Sequence, residues 1–194
     1  LQVKGIPISV SPDPLVKKYS VRIPTATLTD NSSDEDKLLN ALKLQYGLDC
    51  RLSYEGIREL PLAIGSGNGE VTCVIWGGNL IISVESGDTR AKNLGFAADI
   101  GTTKLAGFLV DLNTGKQLAS SALANPQALY GEDVMSRIAF SMDSTDNLVT
   151  LQKAIVDGIN RLIRACCKQV RLDSQWIYEG CFVGNTCMTH LFLG

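Results

Sequence analysis

The segment Phe96–Val110, FAADIGTTKLAGFLV, constrains this chain more than any other. Two short apolar runs flank the polar stretch Asp99-Ile100-Gly101-Thr102-Thr103-Lys104. Apolar runs bounded by turn residues read as strands, so the segment predicts a hairpin. Gly101 permits a tight bend and lets main chain approach a ligand without a Cβ in the way. Successive N–H groups around such a bend can form an anion-binding concavity. Thr102 and Thr103 add hydroxyls, and Lys104 adds a positive charge. Asp99 repels a phosphate unless a hard cation such as Mg²⁺ lies between them, held through water. The turn thus reads as a magnesium–phosphate cradle. Spacing alone is equally compatible with an ordinary hairpin in which Asp and Thr only stabilise the turn. The Walker arrangement is excluded, because it requires a longer loop ending in Gly-Lys-Ser/Thr before a helix, and here an apolar strand follows.

The remaining sequence places that hairpin in the second of two domains. Four of the six prolines fall in residues 1–30 and break them into extended pieces, among which Lys18–Ile23 alternates as a strand. Ser32 or Ser33 begins a helix through Leu38, Leu39, Leu42 and Tyr46, with acids in its first turn and Gly47 at its end. Residues 48–52 predict a short strand and 56–63 a short helix. The run Gly65-Ser66-Gly67-Asn68-Gly69 reads as a turn, since no Lys-Ser/Thr end follows it. Glu70–Trp76 and Leu80–Val84 predict a hairpin around Gly77-Gly78-Asn79. The polar joint after Ser86 sets a boundary between a small α/β domain over 1–92 and a second domain over 93–194.

In the second domain a third strand is expected over Lys116–Ala124, after Asn113-Thr114-Gly115. A helix is expected from Asp133 to Ser141, then a long one from Ser144 to about Val170. The long helix carries Leu148, Leu151, Ile155, Ile159, Leu162, Cys166 and Val170 as one apolar stripe. Gln175–Val183 predicts a buried strand that ends in Gly184-Asn185-Thr186, where a helix begins. Asn185 either caps that helix or faces the same cleft as Asp99. His190, the only histidine, is read as packed or hydrogen-bonded rather than catalytic. The order of three strands, helix, strand, helix resembles the opening of a ribonuclease H-like lobe, so the expected fold is a small α/β domain followed by the first part of such a lobe.

Composition excludes several function classes. With Lys+Arg 18 against Asp+Glu 20 and no basic stripe, nothing points to nucleic acid. No apolar run approaches the ~18 residues needed to span a bilayer. The six cysteines form no C-x-x-C pair, so reduced, mostly buried thiols are expected, as in a cytoplasmic protein. The opening Leu1-Gln2-Val3-Lys4 has neither an initiator Met nor a signal-peptide pattern and reads as the interior of a longer protein.

Asp-Ile-Gly-Thr-Thr between two apolar strands resembles the first phosphate motif of the acetate/sugar kinase, heat-shock protein and actin superfamily, which binds ATP between two ribonuclease H-like lobes. Three segments together narrow the resemblance. They are Ala98–Thr103, the run from Asn125-Pro126-Gln127 through Tyr130-Gly131-Glu132-Asp133-Val134 to Ser136-Arg137-Ile138, and Val183-Gly184-Asn185-Thr186 with Met188 and His190. In these the chain resembles the ATP-dependent reductive activators of corrinoid proteins, including activating enzymes of O-demethylases and methylamine methyltransferases. Leu28-Thr29-Asp30 before an acidic helix start resembles their middle domain.

The resemblance implies that 1–92 is a middle domain and 93–194 the first part of the ATP-binding domain. It also implies a two-iron two-sulfur domain upstream, and a fragment that is not by itself a competent ATPase. The implied activity is reduction of inactive Co(II) corrinoid protein to Co(I). The implied ligands are ATP and Mg²⁺, and the implied partner is a corrinoid methyl-carrier protein; a homodimer is compatible with it. Asp99 would hold Mg²⁺ through water, Gly101, Thr102, Thr103, Lys104, Asn185 and Thr186 would hold nucleotide, and Asn125, Gln127, Gly131, Asp133 and Arg137 would shape the cleft or the partner surface. Lys104 and Cys187 stand where small residues and Thr are common in such activators. A Lys after the Thr pair also occurs in activators of 2-hydroxyacyl-CoA dehydratases, which stay open as an alternative with a small-molecule kinase of the superfamily and a non-catalytic docking module.

Overall fold

The alternating runs before residue 90 become one four-stranded sheet and those after it another. The computed structural model of the chain describes residues 11–24, 30 and 32–194. Leu28 and Thr29 lie outside the described residues. The chain divides into a unit spanning Asp13–Asn93 and a unit that contains Leu94–Gly194.

In the first unit the strands are β1 (Val16–Arg22), β2 (Arg51–Leu52), β3 (Glu70–Trp76) and β4 (Leu80–Ser86), ordered β1-β3-β4-β2. The helices are α1 (Asp34–Tyr46) and α2 (Tyr54–Ser66). Ser33 caps α1 in a reciprocal box with Asp36, and Gly47 ends it in the left-handed region at φ 69°. Helix α2 runs beyond the expected 56–63 at both ends, because Ser53 caps it by accepting from the Gly56 amide and it tolerates Pro61 in its interior.

One sheet face packs Val21, Cys73, Ile75, Ile81 and Val84 against Leu38, Leu42 and Leu60 from the helices. Ile81 and Val84 are three apart, an odd spacing for one face. A register shift at Val74/Ile75 sets them opposite Ile75 and Cys73 and resolves it. The other face carries Lys18, whose Nζ donates to both oxygens of Glu85 at 2.8 and 2.7 Å. The Thr89 hydroxyl donates to the same carboxylate.

The second unit is a meander of β5 (Leu94–Ile100), β6 (Lys104–Asp111) and β7 (Gln117–Ala124), followed by α3 (Val134–Asp143), α4 (Thr145–Val170), β8 (Ile177–Gly184) and α5 (Thr186–Leu193). The sheet order is β7-β6-β5-β8, with β8 parallel to β5. Three antiparallel strands and a parallel fourth reached through helices make a ribonuclease H-like lobe, as the element order predicts. Helix α4 lies on β6 and β7. Leu151, Ile155, Ile159, Leu162 and Cys166 of its stripe are buried, while Leu148 and Val170 pack at the margin. Each large apolar side chain so buried contributes about 1.5–3 kcal/mol relative to exposure. Gly158 allows the close approach, since a Cβ there would meet Leu105 Cδ1 at 2.7 Å and Pro126 Cγ at 3.2 Å.

Two sequence expectations change. Strand β8 is exposed along its second half, and among the described residues it pairs only with β5. Cys181 on that strand is therefore exposed, Cys50 and Cys187 are half-buried, and only Cys73, Cys166 and Cys167 are buried. His190 is exposed rather than packed, on the last turn of α5.

Candidate functional site

The hairpin expected from the sequence forms, with β5 and β6 as its arms. The Gly101 amide donates to the Lys104 carbonyl at 3.0 Å and closes the turn. A Cβ at Gly101 would stand 2.6 Å from that carbonyl, so closure rather than an unusual φ requires glycine here. Asp99 is exposed near the end of β5, Thr103 is exposed, and Thr102 and Lys104 are half-buried.

The parallel register of β8 decides what lies next to this turn. Val183 pairs with Asp99 and Gly184 with Ile100, so the two strands end together. The chain leaves β8 into α5 at the same sheet edge as Gly101 and Thr102. Asn185 caps α5 and also reaches the turn. Its Oδ1 accepts from the Met188 amide at 2.9 Å and caps α5, and its Nδ2 donates to Thr102 Oγ1 at 3.2 Å. The first amides of α5, starting at Thr186, stand at the edge that Asp99 occupies. Helix N-terminal amides lack intrahelical acceptors and favour anions. Among the described residues no three His, Cys, Asp or Glu side chains converge. A cation at Asp99 would therefore take one protein carboxylate and complete its shell with water and phosphate oxygens, the way Mg²⁺ is commonly bound. The residue set fits a magnesium nucleotide.

The second group of predicted residues lies elsewhere. Asn125, Gln127 and Arg137 have side chains that are 1%, 0% and 0% exposed. They face the interior of the unit, not an open cleft or its surface. Asn125 follows β7 and caps a short 3-10 helix at Pro126–Leu129 by accepting from the Gln127 amide. Its Nδ2 donates to the Gly101 carbonyl at 2.8 Å, and its own amide donates to the Thr103 carbonyl at 2.9 Å. Gln127 donates to the Leu151 carbonyl of α4 at 2.9 Å. Arg137 Nε donates to the Gly131 carbonyl at 2.8 Å, and its Nη1 reaches Gln127 Oε1 and Met188 Sδ, each at 3.4 Å.

Burial pushes the Arg137 guanidinium below its ordinary pKa. Among the described residues its Nη2 has no hydrogen-bond partner. Gly131 is needed for this fold-back, since a Cβ there would meet Ser136 Oγ at 2.6 Å and the Arg137 amide at 2.8 Å. Asp133 is exposed and caps α3, and the Ser136 amide it accepts at 2.7 Å holds its carboxyl below the usual range. Met188 had no role from sequence alone. Its sulfur accepts from both Asn125 and Arg137, a use of a thioether that no local pattern signals.

No helix among the described residues is long and apolar enough to cross a membrane.

Comparison with known proteins identifies a family for the chain. The family model described as the RACo middle region matches residues 94–194, and that described as the RACo linker region matches 8–91. The "middle" region of the family is thus the unit with the Asp99 hairpin. The chain is 36% identical over 121 residues to the corrinoid activation enzyme RamQ of Eubacterium limosum, covering 62% of this chain and 20% of that protein. A solved structure of a reductive activator for a corrinoid, iron-sulfur protein superposes with TM-score 0.79 at 34% identity, over 97% of this chain and 31% of that one. The chain therefore spans a fifth to a third of the relatives it matches. With more than half of its residues in the middle-region match alone, this chain belongs to the RACo family of corrinoid activators, whose linker and middle regions it carries.

Proposed function

We propose that this chain is the linker and phosphate-binding portion of an ATP-dependent activator that returns the Co(II) form of a corrinoid methyl carrier to Co(I). The electron would come from a two-iron two-sulfur domain outside this chain. The observation that carries the reading is the meeting of the Asp99–Lys104 turn with the Asn185-capped start of α5 at one sheet edge. That edge joins a carboxylate for a hydrated cation to amides and hydroxyls for phosphate. When bound there, MgATP supplies by its hydrolysis the free energy for an electron transfer that is uphill at physiological potentials.

The chain's own residues have distinct tasks in this reading. Asp99 orients the water shell of the cation. Gly101 closes the turn through its amide, and the amides and hydroxyls of Thr102 and Thr103, with the Lys104 charge, hold phosphate oxygens. Asn185 and Thr186 present the positive end of α5 to the same group. Coupling requires that nucleotide bind one state of the complex better than another, since equal affinity shifts nothing. The reducing cytoplasm is the setting that suits the exposed thiol of Cys181.

Titration of MgATP into the full-length protein by calorimetry tests the site. Asp99→Ala is expected to lose most of the magnesium-dependent affinity. Equal affinity in the variant would place the nucleotide elsewhere.

A further inference from the structure

The Asn125–Arg137 segment is singled out by sequence, yet its key side chains are buried and meet the site only from the interior of the unit. We propose that Asn125, Gln127 and Arg137 are positioning residues, a buried polar brace that holds the phosphate turn and helix α5 in register with each other. The proposal rests on the reading of that edge as the nucleotide site.

The brace has two ends and both are at the site. At one end Asn125 holds the turn twice, by its side chain on the Gly101 carbonyl and by its amide on the Thr103 carbonyl. At the other end the Met188 sulfur, one turn into α5, takes the second contact of Asn125 Nδ2 at 3.8 Å and the Arg137 contact at 3.4 Å. Between them Gln127 ties the assembly to the Leu151 carbonyl on the buried face of α4. The turn and α5 are far apart in sequence. Their direct side-chain link, Asn185 to Thr102, involves two residues that are themselves exposed or half-buried. An exposed hydrogen bond between neutral groups is weak positional control, whereas a buried one has no water to compete with it.

A charge makes this arrangement costly as mere scaffold. Arg137 is wholly buried, and among the described residues no carboxylate lies within ion-pair distance and one of its nitrogens has no hydrogen-bond partner. An apolar residue of similar size would stabilise such a position better. A guanidinium instead offers rigid, directional donors, and here it aims them at the Gly131 carbonyl, at Gln127 and at Met188. That is a device for fixing positions.

The test separates the brace from plain stability and from the nucleotide reading. Asn125→Ser keeps a good cap for the 3-10 helix but removes the amide that holds Gly101 and Met188. Met188→Leu keeps the volume of the side chain and removes only the sulfur acceptor. Ser144→Ala, which deletes the cap of α4, serves as a control of comparable destabilisation away from the site. In the full-length protein, MgATP affinity should fall roughly five- to tenfold in the first two variants, the loss of one or two buried hydrogen bonds. It should stay at the wild-type value in Ser144→Ala.

Amide exchange without nucleotide provides the independent readout. Exchange at Gly101 and Met188 should accelerate in Asn125→Ser and Met188→Leu and not in the control. Wild-type affinity and wild-type exchange in either folded brace variant would overturn the proposal. Faster exchange without any MgATP binding by the wild type would keep the brace and sink the nucleotide reading instead.

Discussion

Asn185 at the end of β8 donates a 3.2 Å hydrogen bond to Thr102 in the β5–β6 turn, and so joins the two chain reversals that form the candidate nucleotide edge. The same side chain caps α5 through the Met188 amide. These two roles can be separated. Asn185→Ser preserves a capping oxygen, so folding stability should stay within a few tenths of a kcal/mol, while Asn185→Ala should lose about 1 kcal/mol. Both variants lose the link to Thr102. MgATP affinity of the full-length protein should fall severalfold in both, and calorimetric titration alongside denaturant unfolding checks the split.

Gly101→Ala attacks the turn from within. The new methyl would lie 2.6 Å from the Lys104 carbonyl, which is main chain and cannot rotate away. The turn must open, and the Gly101–Lys104 hydrogen bond must lengthen. Overpacking of this kind costs about 1–3 kcal/mol. A denaturant midpoint that falls accordingly, together with loss of MgATP binding, is the expected result.

The parts of this fold that were legible in the sequence are those set by short-range rules. The α4 stripe from Leu151 to Cys166 follows the helical period and is buried as that period requires. Helix starts are legible at Ser32 or Ser33, at Asp133, at Ser144 and at Asn185 or its neighbour, and Ser33, Asp133, Ser144 and Asn185 are the caps found there, because short polar side chains satisfy amides within three residues. What a local pattern cannot encode is pairing across long separations. The parallel alignment of Val183 with Asp99 brings Asn185 to the turn, and it depends on α3 and α4 returning the chain to the sheet. The burial of Arg137 is illegible for a second reason. A charged residue after a capped helix start reads as solvated, and only the convergence of Gly131, Gln127 and Met188 turns it inward. The exposed outer half of β8 follows from the same logic, since an apolar run does not say how many partners a strand will have.

The Lys18–Glu85 pair should behave as a buried ion pair. Its side chains are 1% and 10% exposed. Burial pulls the Lys18 pKa down even though Glu85 opposes the shift, so desolvation dominates. Lys18→Met leaves the Glu85 carboxylate without its ammonium partner and should destabilise the first unit by about 3 kcal/mol or more. Lys18→Met combined with Glu85→Gln removes the stranded charge and should recover a substantial part of that loss. A double-mutant cycle by denaturant unfolding measures the coupling.

Asp133 predicts a pH dependence with a definite sign. Its folded carboxyl is held below its ordinary value, first by the Ser136 amide. The unfolded value is about 3.9. A depressed acid contributes stability that is fully present above the unfolded pKa and is lost as pH falls through the folded one. Helix α3 should therefore loosen in acid below about pH 4. Asp133→Asn, which caps without titrating, should flatten that acid limb. Amide exchange of α3 as a function of pH reads the effect.

In the proposed function the Asp99 edge couples nucleotide to reduction of a corrinoid. The full-length protein, a Co(II) corrinoid methyl carrier and a low-potential reductant are mixed without oxygen, and the Co(I) absorbance is followed with and without MgATP. The expected result is Co(I) that depends on MgATP and is lost in Asp99→Ala. Co(I) that forms equally well without MgATP, or in Asp99→Ala as in the wild type, would contradict it.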